Sequence, residues 1–196
     1  MSPSKAAPRR TVTTAPKSAA QERVATAALK LFAQRGVGGT SLQMIADELG
    51  VTKAAVYHQY HTKEEIVRAV ALSEIAWVEA VLEVAEGEST PTRARDAAIS
   101  GIIDLAVERR RQVSTLLNDP VIGRLFAKDK RLLGVLDRLN KLLMGPSAGP
   151  DSQVATAMLI AAVSGATIHP LVVGQDDDAL RTQLLRLTRR FLGLRA

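Results

Sequence analysis

Thr40-Ser41-Leu42-Gln43-Met44-Ile45-Ala46-Asp47-Glu48-Leu49-Gly50-Val51-Thr52-Lys53-Ala54-Ala55-Val56-Tyr57-His58-Gln59-Tyr60-His61-Thr62 reads as two short helices with a tight turn between them. Thr40 and Gln43 have the spacing of a capping box, which predicts a helix start at Thr40. Leu42, Ile45, Ala46 and Leu49 then fall on one face of that helix. Gly50 can adopt positive φ and end it. Thr52 can cap the next helix from Lys53. In that helix Val56 and Tyr60 point inward, leaving Tyr57 and His58 to face out. Upstream, Ser18 and Gln21 form another capping pattern, and Val24, Ala28, Leu31 and Phe32 recur at helical spacing until Gly36. Two short helices joined by a glycine-containing turn and buttressed by a first helix have the layout of a helix-turn-helix.

Downstream the pattern stays helical. Thr62 and Glu65 predict a cap for a long fourth helix ending near Gly87, with Ile66, Val70, Ser73, Trp77, Val81 and Val84 on its apolar face. Thr90-Pro91 opens a segment carrying Ile99, Ile102, Ile103 and Ala106, closed by Arg109 to Arg111, a cluster suited to a helix C-terminus. Asn118-Asp119-Pro120 restarts a helix, and Leu132, Leu133, Leu136, Leu139 and Leu143 pattern the next. Gly145 to Pro150 reads as a loop. The last two helices are predicted over Ser152 to His169 and Asp178 to Leu192, the final one with a stripe of Leu180, Leu184, Leu187 and Phe191 widened by Leu185 and Leu192. The expected fold is all-α, about nine helices: a three-helix helix-turn-helix domain and a larger helical domain. The boundaries are residues 1–17 for a disordered basic arm, 18–63 for the helix-turn-helix and 64–196 for the second domain.

Composition agrees with a helical binding protein. The 196 residues are 46% hydrophobic but only 3% aromatic, so the interior is aliphatic. There is no cysteine and there are three histidines, which excludes disulfides and thiolate zinc sites and argues against Cys/His catalysis. No triad or metal spacing is present and no cofactor is called for. Residues 1–63 hold nine Lys and Arg against three Asp and Glu, whereas residues 64–196 balance at seventeen each, so the whole net charge of +6 sits in the first third. That concentration suits a polyanion, with nucleic acid the leading partner and a merely basic tail the alternative. Nothing apolar follows the first basic residues, so no secretory signal is read and a cytoplasmic location is expected. Ser152 to Gln175 carries no charged residue. Its Ser, Thr, Gln, His and Pro content and its acidic flanks favour a helix buried between protein surfaces over a membrane span.

The run from Gly36 to Glu65 resembles the DNA-binding domain of TetR-type repressors, and the resemblance covers residues 20–67. It includes the Thr at the start of helix two, the Ile-Ala and Leu-Gly-Val core, the Tyr of helix three and the Lys opening helix four. The rest of the chain has no comparable motif, in keeping with a portion that varies in this family. The resemblance implies a homodimer joined through terminal helices as a four-helix bundle, reading a palindromic operator. It also implies an effector pocket among helices four to eight, whose filling tilts helix four and moves the reading heads apart. The chain departs from the family at Ala54, where glycine or proline is frequent, and at Ala55, where larger side chains sometimes stand. These alanines offer methyl contact with thymine or close backbone approach.

The other DNA-facing positions divide by chemistry. Lys53 can meet the O6 and N7 edge of guanine or simply neutralise phosphate. Gln43 resembles a base-reaching family position and also suits the cap of helix two. Tyr57 and His58 resemble family phosphate contacts. Lys63 sits where the dipole and free N–H groups of helix four favour an anion. Thr40, Ser41 and Thr52 can offer hydroxyls to phosphates as well as cap. Arg9, Arg10 and Lys17 could reach an adjacent groove. For the effector, Trp77, Asn118, Met158 and His169 are candidate pocket residues, since each adds a ring or polar tip to an aliphatic cavity; the alternative is ordinary core or surface. The function expected is a dimeric, effector-modulated repressor, with a sequence-tolerant DNA binder lacking an effector as the alternative. An enzyme on this fold and a membrane-tethered regulator are further alternatives.

Overall fold

The computed structural model describes residues 18–110, 119–127, 129–146 and 149–194. The predicted arm with Arg9, Arg10 and Lys17, the third arginine Arg111 and the pocket candidate Asn118 all lie outside these residues. Among the described residues the chain forms nine helices and no strand: α1 (Ala19–Arg35), α2 (Leu42–Leu49), α3 (Lys53–Gln59), α4 (Lys63–Glu86), α5 (Pro91–Glu108), α6 (Pro120–Phe126), α7 (Lys130–Met144), α8 (Asp151–Ala166) and α9 (Asp177–Phe191). No described helix is long and apolar enough to cross a membrane.

The caps explain most boundaries. Ser18 and Gln21 form the predicted reciprocal capping box on α1. Thr52, Thr62, Thr90 and Asp119 each accept a hydrogen bond from a first-turn amide of α3, α4, α5 and α6. Pro91 and Pro120 occupy first-turn positions, where no amide hydrogen is needed. Gly50 ends α2 in the left-handed region, φ 65°, which a side chain would disfavour. One cap differs from expectation: the N-cap of α2 is Ser41, which accepts from the Met44 amide, one residue later than Thr40. Thr40 is buried and donates to the Gly36 carbonyl, closing the α1–α2 turn, so Gln43 is released from capping and donates to Asp47 at 2.7 Å.

α1, α2 and α3 enclose a small core of Ala28, Leu31, Phe32, Ile45, Ala46 and Val56, continuous with Ile66 and Val70 of α4. α4 therefore belongs to both halves of the molecule, packing on α1 and, farther along, on α5, α6 and α7. This change of partner moves its buried face. The predicted stripe holds at Ile66 and Val70, but beyond them Ile75, Leu82 and Ala85 are buried while Trp77 (52%) and Val84 are exposed. A period read from the first turns does not survive when the helix meets new neighbours. Similar shifts leave Leu133 of α7 exposed, with Val135 buried instead.

α5 is the central strut of the second half, in contact with α4, α7, α8 and α9. It approaches α4 closely at Gly101, where an added Cβ would stand 2.6 Å from a Val81 methyl. Ion pairs tie the outer helices down. Arg138 chelates Glu86 at 2.8 and 2.7 Å, and Arg131 does the same to Glu79, joining α7 to α4. These guanidinium hydrogen bonds hold both carboxyls below the ordinary glutamate range. Arg181 binds Asp104 at 2.6 Å and fixes α9 to α5.

α8 and α9 are not fully covered within one subunit. α8 buries Thr156, Leu159 and Val163 on one side but presents Val154 and Met158 (57%) on the other. On α9, Leu180, Leu184 and Thr188 are buried, whereas Leu187 (54%) and Phe191 are exposed.

Candidate DNA interface and effector cavity

The reading-helix geometry follows from which side of α3 is anchored. Val56 is fully buried and Tyr60, just past the helix, is nearly so. The Tyr60 hydroxyl donates to the Gln21 carbonyl at 3.3 Å, and burial, aided by Glu22 and Glu65, raises its pKa. Gln21 in turn donates to the Gln59 carbonyl at 3.4 Å, so the start of α1 holds the end of α3. Lys30 and Glu48 pair at 2.6 Å between α1 and α2. With its inner side fixed, α3 turns Lys53, Ala54, Ala55, Tyr57 (53%) and His58 outward together. Lys53 and Lys63 form no ion pair with any described residue. Tyr57 stands edge-on to His61, ring centres 5.5 Å apart.

Ser41 and Thr52 are exposed at helix starts, their oxygens already accepting amide hydrogens while their hydroxyl hydrogens stay available. Gln43 is exposed beside them. Thr40 is the residue of the predicted set that does not join this surface, because its hydroxyl is turned into the α1–α2 turn. Thr62 caps α4 through the Glu65 amide, but the Glu65 carboxylate reaches the His61 amide at 2.7 Å, one residue short of a reciprocal box.

In the second half, α4 to α9 surround a cavity of about 200 Å³. Among the described residues its walls are aliphatic apart from Phe126, and Glu74, Ser164 and Thr188 are the only lining residues with polar side chains. None of the three described pocket candidates lines it, which corrects the sequence reading. Trp77 lies on the outer side of α4, where the Arg109 guanidinium covers its ring at 5.3 Å. Met158 is on the exposed side of α8. His169 lies beyond the end of α8, exposed, accepting from the Leu171 amide at 3.2 Å. No cluster of His, Cys, Asp or Glu suited to a metal occurs among the described residues.

Residues 25–70, the segment that builds this helix-turn-helix, match the profile of the bacterial regulatory proteins of the tetR family. The helix-turn-helix segment is of the tetR type. Solved structures extend the likeness of fold over both halves. A tetR-family regulator from Rhodococcus RHA1 is 21% identical, with 91% of this chain and 100% of that one covered at a TM-score of 0.68. AibR, solved with isovaleryl coenzyme A and operator DNA, is 20% identical over 86% and 97% of the chains, TM-score 0.69. PfmR from Thermus thermophilus is 21% identical over 89% and 99%, TM-score 0.64. No curated protein matches the chain.

Within this fold, sequence reasoning missed the residue that connects the two halves. One carboxylate oxygen of Asp119 caps α6 at the Val121 amide, 2.8 Å, and the other accepts from the Val37 amide at 3.0 Å, in the α1–α2 turn. Ile122 and Phe126 of the same short helix line the cavity. α6 therefore has one end against the helix-turn-helix and one side in the cavity wall. Arg68 of α4 adds to this junction, 5.7 Å above the Phe126 ring and 3.2 Å from Asp129. The Asp-Pro pair signals the cap from sequence, but nothing in it signals a partner 82 residues away.

Proposed function

We propose that the protein is a transcriptional repressor that binds a palindromic operator as a homodimer and is modulated by a small molecule. The observation that carries the proposal is the outward face of α3: its inner side is pinned by Val56 and Tyr60 while Lys53, Ala54, Ala55, Tyr57 and His58 are exposed as one surface. A helix of that length lies in a major groove with its first residues at base edges. Lys53 and the two alanines then meet bases, while Tyr57, His58, Ser41, Thr52 and Lys63 take phosphates and Gln43 reaches from α2. Such a regulator works where the chromosome is, in the cytoplasm.

One seven-residue helix gives little affinity, so a second copy about 34 Å away is part of the mechanism. The exposed apolar side chains of α8 and α9, Val154, Met158, Leu187 and Phe191, support pairing through these helices. The cavity supports the effector. A ligand switches DNA binding only through different affinities for two arrangements of the dimer. Filling the cavity presses on Ile122 and Phe126, and α6 passes the displacement to the α1–α2 turn through Asp119 and to α4 through its packing. AibR, of like fold, was solved with an acyl coenzyme A and operator DNA, in keeping with this pairing of sites.

Binding measurements on a selected operator and a scrambled duplex test the DNA surface. Lys53→Ala should cost about 1 to 3 kcal/mol on the operator and much less on the scrambled duplex, whereas Lys63→Ala should weaken both alike. Equal losses for Lys53→Ala on both would leave it a phosphate contact and favour a sequence-tolerant binder. Asp119→Ala should cost about 1 to 2 kcal/mol of stability, from the lost cap and the unpaired Val37 amide, and should shrink the effect of ligand on operator affinity. Undiminished ligand response in that variant would remove α6 from the route.

A further inference from the structure

The lining of the cavity bears on the charge of a ligand as well as on its size. At about 200 Å³ it is somewhat larger than an apolar cavity of about 150 Å³ that admits benzene, which scales to about eight non-hydrogen atoms. Most of its wall is hydrocarbon, from residues such as Ile99, Ile103, Val135, Leu139 and Leu159. Among the described residues the only ionised group on the wall is Glu74, and both of its oxygens are taken by Arg109, at 2.5 and 2.8 Å. Arg109 is further held by the Trp77 ring and by its place at the C-terminus of α5, where carbonyl groups favour a cation. The pair is thus internally neutral. A carboxylate entering the cavity would either remain without a counter-charge or take Arg109 from a nearly buried Glu74. An ammonium group would add an uncompensated charge to a pair already satisfied.

Two hydroxyls remain. The Ser164 hydroxyl is committed as a donor to the Ile160 carbonyl at 2.8 Å. Thr188, buried on α9, has no side-chain hydrogen bond to any described residue. A hydroxyl on the cavity wall with a vacant partner position is a hydrogen-bonding pole for whatever fills the space.

We propose that the cavity takes an uncharged, largely hydrocarbon molecule of about eight non-hydrogen atoms whose single hydroxyl or carbonyl group bonds to Thr188. The consequence for DNA binding rests on the effector reading given above; the selectivity for a neutral ligand does not.

Three straight-chain probes of about eight non-hydrogen atoms each separate the possibilities: heptan-1-ol, hexanoate and heptylammonium, titrated into the full-length protein by calorimetry at neutral pH. Heptan-1-ol should bind at least about tenfold more tightly than either ion. Its binding should fall about fivefold in Thr188→Val, which keeps the shape and removes the hydroxyl, and should be lost in Ala106→Leu, which fills the space. Binding of either ion within tenfold of heptan-1-ol overturns the proposal, as does failure of heptan-1-ol to bind the wild-type protein. Operator affinity measured with heptan-1-ol bound is a separate readout: no change there, with the binding order as predicted, supports the ligand class and removes the effector reading.

Discussion

Replacing Leu187 with aspartate is expected to leave the protein as single subunits and to reduce its affinity for an inverted-repeat duplex by at least about a hundredfold. Leu187 is exposed within one subunit, on the same side of α9 as Phe191, and lies outside the buried core, so the substitution leaves that core intact. In a paired molecule it would place a carboxylate in an apolar interface, where an unpaired charge is costly. With the pair broken, the second α3 no longer arrives already tethered, and linking two binding heads typically strengthens binding by about 10² to 10⁴ over one. Sedimentation gives the association state, and circular dichroism checks that the helices persist. Retained dimers with unchanged DNA affinity would place the contact surface elsewhere.

Phe32→Ala carries the largest expected loss of stability, about 3 to 5 kcal/mol. Phe32 is fully buried in the cluster that also contains Ile45, Val56 and Ile66, so a cavity there touches α1, α2, α3 and α4 together. The chain has few other aromatic side chains with which to refill it, at 3% of the composition. For a domain whose total stability is about 5 to 15 kcal/mol, such a loss empties much of the native population near physiological temperature. Urea titration should show a lower midpoint with nearly unchanged slope, and DNA binding should weaken with it because α3 is oriented by the same core. A stability within about 1 kcal/mol of wild type would mean that the site collapses around the missing ring.

The sequence makes some parts of this structure legible and conceals others for identifiable reasons. Helix starts depend on side chains next to the backbone they cap, so Ser18, Thr52, Thr62, Thr90 and Asp119 are readable in advance. Thr40 misleads because two adjacent hydroxyl residues can each cap α2, and the choice falls to Ser41 once the Gly36 carbonyl engages Thr40. The outward set on α3 is legible because Val56 and Tyr60 fix its rotation. Trp77 illustrates the opposite case: the orientation of α4 is set by helices far away in sequence, and its local period cannot show which side they cover. The cavity is invisible beforehand because its wall of Ile, Leu and Val has the composition of any core. Chemically distinctive residues such as Trp77, Met158 and His169 draw attention away from it. The Arg109–Glu74 pair and the second bond of Asp119 are tertiary contacts with no local signature.

Paired copies of α3 set into successive major grooves are the central claim, and the mass of the protein in solution, free and on a duplex selected from random sequence, tests it most directly. Two chains are expected in the free protein, and two chains on a duplex whose selected half-sites form an inverted repeat about one helical turn apart. Single chains both free and bound would contradict it.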